Sequence, residues 1–170
     1  LVTELQDLAR PLVAQKGNTF EVKADPALGT LVADSTRLRQ ILLNLLSNAA
    51  KFTENGVISL SLRTELVDGA EWVVAEVRDT GLGMSPEQLG QLFQEYVQAE
   101  DSTTKNCGGT GLGLVLCQRL STLMGGHIRV SSELGKGSAF SLLLPWRRSL
   151  GPVSEGPAAP LARAGSKVLV

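Results

Sequence analysis

Three polar side chains share one face of a predicted helix. Asn44, Asn48 and Lys51 stand at positions i, i+4 and i+7, opposite a stripe of leucines. The oxygen of an Asn side chain is a neutral, hard ligand that suits Mg²⁺, and a Lys ammonium can contact phosphate oxygens as a point charge. The same spacing is also typical of the solvated face of an amphipathic helix. From these three residues alone, both interpretations remain open.

Two glycine-rich segments further along could hold a nucleotide. Asp79 follows a predicted strand and precedes Gly81 and Gly83, which permit close backbone approach, so its carboxylate could accept a hydrogen bond from an exocyclic amine such as that of adenine. The run 108–114 opens a predicted helix, whose N-terminus favours an anion such as phosphate. Taken alone, the first segment is better explained by a plain Asp-x-Gly turn, and the glycine run by itself is weak evidence for phosphate binding. The run matches neither the dinucleotide fingerprint nor a Walker loop.

A third glycine pair, Gly135 and Gly137, stands directly before Ser138. On its own, it predicts a hairpin turn.

Hydrophobic periodicity predicts the elements that must position these residues. Helices are predicted over 1–17, 34–52, 86–93 and 111–124, and strands over 20–23, 30–33, 57–67, 72–78, 128–132 and 138–144. The segment 95–109 lacks periodicity and is predicted to be a long loop. Helices segregated from a largely antiparallel sheet predict a two-layer α+β sandwich.

The composition narrows the class of protein. A chain of 170 residues favours a single core, and 16 basic against 17 acidic residues argue against a nucleic-acid or membrane-surface binder. Two cysteines form no disulfide framework, and no apolar run is long enough for a membrane span. We therefore expect a cytoplasmic location. The missing initial Met indicates a piece of a longer protein, which leaves open an anchor in the inner membrane.

Taken in this order, the clusters closely resemble the catalytic ATP-binding domain of sensor histidine kinases, within the GHKL ATPase superfamily. The resemblance covers roughly residues 1–145 and rests on segments similar to the N box (39–53), G1 box (79–83), F box (92–96) and G2 box (109–113), and on the endings 123–126 and 137–140. It implies an α/β sandwich in which a mixed, largely antiparallel five-stranded sheet packs on three helices.

The resemblance also implies histidine protein kinase activity with ATP and Mg²⁺. Asn48 would ligate Mg²⁺, Asn44 would lie beside the phosphates, Lys51 would contact them, and Asp79 would bind the adenine amine. Residues 93–109 would form a lid over the nucleotide. The implied ATP-binding set is Asn48, Lys51, Phe52, Asp79, Gly81, Gly83, Met84, Phe93, Tyr96, Gly109, Thr110, Gly111, Leu112, Gly113, Leu114 and Ser138.

One position separates the kinases from their relatives. The ATP-hydrolysing members of the superfamily carry a Glu one turn before the metal-binding Asn, as general base for water, whereas this chain carries Asn44, which cannot take up a proton at neutral pH. The resemblance therefore implies a site that holds ATP for an imidazole nucleophile delivered from elsewhere. The alternatives are a degenerate docking module, a serine/threonine-directed relative and a hydrolase with an unusual base.

The same resemblance predicts the domain organisation. Residues 1–16 would be the end of, or the linker from, a dimerisation helix hairpin that is absent here, 17–147 the catalytic domain, 148–166 a Pro/Ala-rich linker and 167–170 the start of a receiver domain. The implied partners are that dimerisation domain, which bears the phosphorylated histidine, and a receiver domain or response regulator. The parent would be a homodimeric hybrid kinase, and the fragment a monomer.

The only histidine, His127, directly follows Gly125 and Gly126 at the start of a predicted strand. We expect a residue at the surface or at a strand edge rather than the phosphoacceptor. The chain is therefore predicted to bind ATP without phosphorylating itself.

Overall fold

The computed structural model describes residues 2–26, 28–93, 112–146 and 167–169. The predicted helices and strands are present, with ends that differ by a few residues. In chain order they are α1 (Val2–Ala14), β1 (Thr19–Ala24), β2 (Thr30–Val32), α2 (Ser35–Phe52), β3 (Val57–Val67), β4 (Ala70–Asp79), α3 (Pro86–Gln91), α4 (Leu112–Leu123), β5 (His127–Glu133), β6 (Gly137–Pro145) and β7 (Lys167–Leu169).

Five strands form the main sheet, in the order β1-β3-β4-β6-β5. β1 runs parallel to β3, and the other neighbours pair antiparallel. Asp68 and Gly69, which connect β3 to β4, both have positive φ angles of 51° and 78°, as a two-residue hairpin turn with right-handed strand twist requires. The predicted mixed, largely antiparallel five-stranded sheet is confirmed.

Helix α2 carries the Asn and Lys residues singled out from the sequence. It begins after Asp34, whose carboxylate accepts hydrogen bonds from the amides of Thr36 and Arg37 at 3.0 and 3.1 Å and so satisfies two donors of the first turn. Its apolar stripe lies against the sheet and fixes the rotation of the helix, with the buried residues Leu38, Ile41, Leu42, Leu45, Leu46, Ala49 and Ala50.

Helix α1 shares this core. Leu5, Ala9 and Val13, spaced four residues apart, are buried and belong to the same hydrophobic cluster as the stripe of α2. The carboxylate of Glu4 also forms an ion pair with Arg39 of α2 at 3.1 Å. The domain limits drawn from the sequence stay a prediction, but the helix assigned to residues 1–16 packs into the same core as α2 and the sheet.

Helix α4 completes the helical layer through the buried residues Val115, Cys117 and Ser121. Among the helices in the described ranges, α3 alone buries no residue. Three helices therefore pack on the sheet, as predicted.

A second, two-stranded sheet joins β2 to β7 in antiparallel register, with Thr30 opposite Leu169 and Val32 opposite Lys167. This confirms the strand predicted at residue 167, while the receiver domain stays a prediction. Across the ranges that the structure describes, no helix combines the length and the apolarity of a membrane span.

Candidate functional site

Asp79 forms the centre of one end of the candidate site. This residue ends β4, is 5% exposed, and its Oδ1 accepts hydrogen bonds from the amides of Gly81 at 2.9 Å and Ser138 at 3.3 Å. Within the described ranges, no backbone donor bonds to the other oxygen, Oδ2. The carboxylate is thus held in one orientation with an acceptor oxygen left over.

Burial raises the pKa of Asp79 above its usual value of 3.8, because the ionised form loses hydration. Hydrogen bonds from the Gly81 amide, the Ser138 amide and the Thr53 hydroxyl oppose this rise without cancelling it. Thr53, the C-cap of α2, is 1% exposed, and its Oγ1 has no partner of ordinary hydrogen-bond geometry in the described part of the chain. Its influence on Asp79 is therefore that of a weak, poorly aligned contact.

The loop after β4 lies backbone to backbone against the β5–β6 hairpin. A Cβ atom on Gly83 would lie 2.0 Å from the carbonyl oxygen of Glu133, and one on Gly137 would lie 2.0 Å from that of Asp79. Both glycines have positive φ angles, of 64° and 99°. The Gly135 amide also donates to the Leu82 carbonyl at 2.7 Å. Only glycine fits at these two crossings.

The C-terminal end of α2 meets the same loop. The amide of Leu82 donates to the carbonyl oxygen of Phe52 at 3.1 Å, and a Cβ atom on Gly81 would lie 2.2 Å from that oxygen. This contact links the predicted N and G1 boxes, which lie far apart in the sequence.

Ser132, which the sequence analysis did not select, connects the loop to the hairpin. Its hydroxyl oxygen accepts a hydrogen bond from the Met84 amide at 2.8 Å and lies 3.0 Å from both the Gly137 carbonyl oxygen and the Ser138 Oγ. Thr53 was missed in the same way. The contacts of Ser132 and Thr53 arise from the tertiary structure, so no local pattern in the sequence predicts them.

The other end of the site is built on α2 and α4. The side-chain amide of Asn48 donates to Asn44 Oδ1 at 3.1 Å, and both residues are half-buried. Gly113, in the first turn of α4, lies against this pair, since a Cβ atom there would be 2.7 Å from Asn44 Nδ2. The predicted N box and Gly113, the last residue of the predicted G2 box, therefore come together at Asn44.

Lys51 lies in the last turn of α2, where a cation interacts favourably with the helix dipole. Its Nζ is 5.0 Å from the centre of the Phe52 ring, within range of a cation–π interaction, and Phe52 is 38% exposed. No ion pair with a described residue holds the ammonium in place.

The donor set at this end suits a hard cation that shares its ligands with phosphate. Because the nitrogen of the Asn48 amide is committed to Asn44, its oxygen is the atom left for a ligand. No group of three or more His, Cys, Asp or Glu residues that could hold a metal ion occurs in the described residues. Mg²⁺ commonly binds proteins through few side chains together with phosphate oxygens, so the residues present fit it.

The predicted site residues fall into three groups. Asp79, Gly81, Gly83, Met84 and Ser138 gather at one end, Asn44, Asn48 and Gly113 at the other, and Lys51 and Phe52 follow on α2. Phe93 and Leu114 are half-buried, and Leu114 packs against the core. Leu112 begins α4, whereas Tyr96, Gly109, Thr110 and Gly111 lie outside the described residues, as does most of the predicted lid.

His127 begins β5 and is exposed, as expected. Its ring lies edge-on to Trp72, with 5.4 Å between the ring centres.

Residues 33–148 match the family described as histidine kinase-, DNA gyrase B- and HSP90-like ATPase.

Curated relatives include sensor kinases. Over 144 residues, the chain is 40% identical to the autoinducer 2 sensor kinase/phosphatase LuxQ of Vibrio vulnificus (strain YJ016), which covers 83% of this chain and 17% of that protein. Over 145 residues, it is 40% identical to the aerobic respiration control sensor protein ArcB of Escherichia coli (strain K12), covering 84% of this chain and 18% of that protein. The chain thus spans less than a fifth of the length of these relatives.

Solved structures share the fold. The crystal structure of full-length ShkA in complex with AMPPNP matches with a TM-score of 0.74 and 37% identity, over 89% of this chain and 30% of that one. The mycobacterial sensor histidine kinase MprB matches with a TM-score of 0.67 and 26% identity, over 86% of this chain and 95% of that one.

Proposed function

Because this chain belongs to the family of histidine kinase-, DNA gyrase B- and HSP90-like ATPases, we propose that it binds ATP together with Mg²⁺ and serves as the catalytic part of a sensor histidine kinase. The resemblance drawn from the N, G1 and G2 boxes is confirmed at the level of the family. The activity of the longer parent protein is part of the proposal, since the chain covers only 17% and 18% of the two curated relatives.

The observation that carries the proposal is the buried carboxylate of Asp79. Two backbone amides, of Gly81 and Ser138, fix one of its oxygens. The orientation of its free oxygen is therefore set before a ligand arrives, and an acceptor of this kind pairs with the 6-amino group of adenine. A buried carboxylate that costs hydration and gains no ion pair in the described residues has no clear benefit for folding.

The phosphates would lie at the Asn44 end. The free oxygen of Asn48 would hold Mg²⁺, which supplies charge neutralisation on the phosphate oxygens. Lys51, whose ammonium contacts the Phe52 ring on the exposed end of α2, would turn towards them. The first turn of α4 lies against Asn44 and would present its amides to an anion.

In the proposed reaction, an imidazole nitrogen of the dimerisation domain attacks the γ-phosphorus of ATP. The bond from that phosphorus to the bridging oxygen breaks, and ADP leaves with the electron pair. Asn44 and Asn48 contribute positioning and hydrogen bonds rather than proton transfer, and Mg²⁺ and Lys51 would supply the positive charge, which suits phosphoryl transfer. Asn44 donates and accepts hydrogen bonds but cannot activate water, so we expect slow ATP hydrolysis.

The partners of this reaction are proposed as well. The acceptor histidine would belong to a dimerisation domain of the parent, and a receiver domain or response regulator would take the phosphoryl group next. His127 is not the acceptor in this proposal, because it begins β5 of the ATP-binding domain itself rather than belonging to the dimerisation domain. The isolated chain is therefore expected to bind ATP without labelling itself.

Calorimetric titration with a non-hydrolysable ATP analogue, with and without Mg²⁺, tests the proposal. Asn48→Ala should weaken binding and remove its dependence on Mg²⁺, while Asp79→Ala should weaken binding at any Mg²⁺ concentration. Asp7→Ala, on the exposed side of α1, is the matched control for the loss of a carboxylate. An absence of binding at millimolar analogue would overturn the nucleotide site and favour a docking module.

A further inference from the structure

Ser132 occupies a junction between three backbone segments. It stands opposite Ser138 in the register of the β5–β6 hairpin. Its Oγ contacts the Met84 amide at 2.8 Å, the Gly137 carbonyl oxygen at 3.0 Å and the Ser138 Oγ at 3.0 Å. A single hydroxyl thus joins the loop after β4 to both residues that begin β6.

The direction of each hydrogen bond follows from proton counting. The Met84 amide can only donate and the Gly137 carbonyl can only accept, so the one proton of Ser132 goes to Gly137. In the contact between the two hydroxyls, Ser138 must then donate and Ser132 accept. This fills both lone pairs of Ser132 and uses the only side-chain proton of Ser138.

Ser138 is consequently left with acceptor capacity alone at its Oγ. Its amide is also committed, because it donates to Asp79 Oδ1 at 3.3 Å. Asp79, when ionised, offers only acceptors as well. The two side chains that the base would meet here therefore present lone pairs and no proton.

Such a surface distinguishes purines at position 6. Adenine carries an amino group there, which donates, whereas guanine carries a carbonyl oxygen, which accepts. A 6-oxo purine would place its oxygen against two acceptors.

We propose that Ser132 is a specificity-determining positioning residue, which selects a 6-amino over a 6-oxo purine by holding the hydroxyl proton of Ser138 away from the base. The inference rests on the proposed nucleotide site and goes beyond it, since Ser132 itself need not touch the nucleotide.

The test compares affinities for AMP-PNP and GMP-PNP at pH 7.5, using calorimetry on the whole chain. Ser132→Ala removes the acceptor for the Ser138 proton, which can then turn towards the 6-oxo group. The preference for AMP-PNP should narrow by about tenfold, the effect of one hydrogen bond near 1.4 kcal/mol. Ser132→Thr keeps the hydroxyl and should retain the wild-type ratio.

Two further variants separate this role from simple packing. Ser132→Ala combined with Ser138→Ala has no hydroxyl proton to redirect, so the preference for AMP-PNP should return towards that of the wild type. Ser131→Ala, on the exposed neighbour, is the control and should leave the ratio unchanged. If alanine at 132 prevents folding, Ser132→Cys replaces it, because a thiol is a weak acceptor and should narrow the ratio to a smaller degree.

The outcomes are distinguishable. A wild type that binds AMP-PNP, with Ser132→Ala weakening both analogues equally, would overturn the inference and leave the nucleotide site intact. A preference for AMP-PNP that stays narrowed in the double variant would also overturn it. A wild type that binds neither analogue would overturn the proposed function and this inference together.

Discussion

The two ends of the candidate site are built in different ways. The end around Asp79, where the base is proposed to bind, is called the base end. Four backbone amides there bond to fixed partners, those of Gly81, Met84, Gly135 and Ser138, and at Gly83 and Gly137 two backbone segments are in direct contact. The end around Asn44, where the phosphates are proposed to lie, is called the phosphate end. Among the predicted ligands there that the structure describes, the one side-chain hydrogen bond joins Asn48 to Asn44. The proposed base pocket is therefore set by the fold, whereas the proposed phosphate end depends on side chains that can rearrange around a ligand.

Gly83→Ala should have the largest effect, and it tests the rigidity of the base end. The methyl group would meet the Glu133 carbonyl oxygen at 2.0 Å, and the φ of 64° is strained for alanine. We expect the free energy of unfolding to fall by about 3 kcal/mol or more, since backbone cannot easily yield. Urea denaturation monitored by circular dichroism measures it.

Gly135→Ala is the matched control. Its φ of 78° is also positive, but its Cβ atom would meet nothing within 4 Å, so only the backbone strain of about 1 kcal/mol should remain. If the free energy of unfolding fell equally in the two variants, the close contact between Gly83 and the Glu133 carbonyl would have no effect on stability.

Asp79→Asn should separate binding from stability. The amide would turn a donor towards the adenine amine, and affinity for AMP-PNP should fall about 100-fold. The melting temperature of the free chain should rise, because burial raises the pKa of Asp79 and so shows that the ionised form is disfavoured there. Calorimetry and thermal melts at pH 7.5 give the two results.

Asp7→Asn controls for the loss of one negative charge on the exposed side of α1. A fall in the melting temperature of Asp79→Asn would contradict the account, since it would mean that the hydrogen bonds to the carboxylate outweigh its lost hydration.

Gly113→Ala makes the corresponding change at the phosphate end. Here the methyl group would meet the side-chain amide of Asn44 at 2.7 Å, which can swing aside. Stability should change by less than about 1 kcal/mol, because alanine also favours the helix. Affinity for the ATP analogue should drop roughly three- to tenfold, as the Asn44–Asn48 hydrogen bond is disturbed.

Gly90→Ala in α3, where a Cβ atom would have open space, is the control for helix propensity. A loss of stability in Gly113→Ala as large as that of Gly83→Ala would remove the distinction between the two ends.

The pH dependence of stability should show the smallest effect. The folded chain holds the proton of Asp79 more tightly than the unfolded chain, whose pKa is near 3.8. As pH rises through the window from 3.8 to the raised folded pKa, the wild type therefore loses stability relative to Asp79→Asn, by about 1.4 kcal/mol for each unit of pKa difference. Denaturation curves between pH 4 and 7 measure the difference, and a constant gap would contradict the raised pKa.

Local signals in the sequence were sufficient to predict the helices and strands and the residues that begin or end them. The Asp34 cap, the leucine stripe of α2 and the Asp68-Gly69 turn each act within a few residues, and the helix and the two strands that they delimit are found where they were predicted. The parallel pairing of β1 with β3 has no such signal, because residue 19 meets residue 57 across a helix.

The site was only partly predictable for the same reason. Asp79 was singled out from its place after a strand and before two glycines, whereas Ser138 was selected through the resemblance, which carries information about tertiary structure that spacing does not. Ser132 contacts Met84, 48 residues away, and looks like an ordinary strand residue in the sequence. Thr53 is recognisable only once Asp79 is known to lie beside it. The roles of the selected residues in binding stay predictions.

The strand order has a consequence for synthesis of the chain. β6 lies between β4 and β5, although it is the last of the five strands to be synthesised. β4 and β5 therefore cannot join the same sheet until β6 has emerged. Until residue 145 leaves the ribosome, β4 presents an unpaired edge that carries Val73, Val74 and Val77. Such an edge is a template for pairing with other chains, so truncations that end before β6 should aggregate during expression rather than yield a smaller soluble domain.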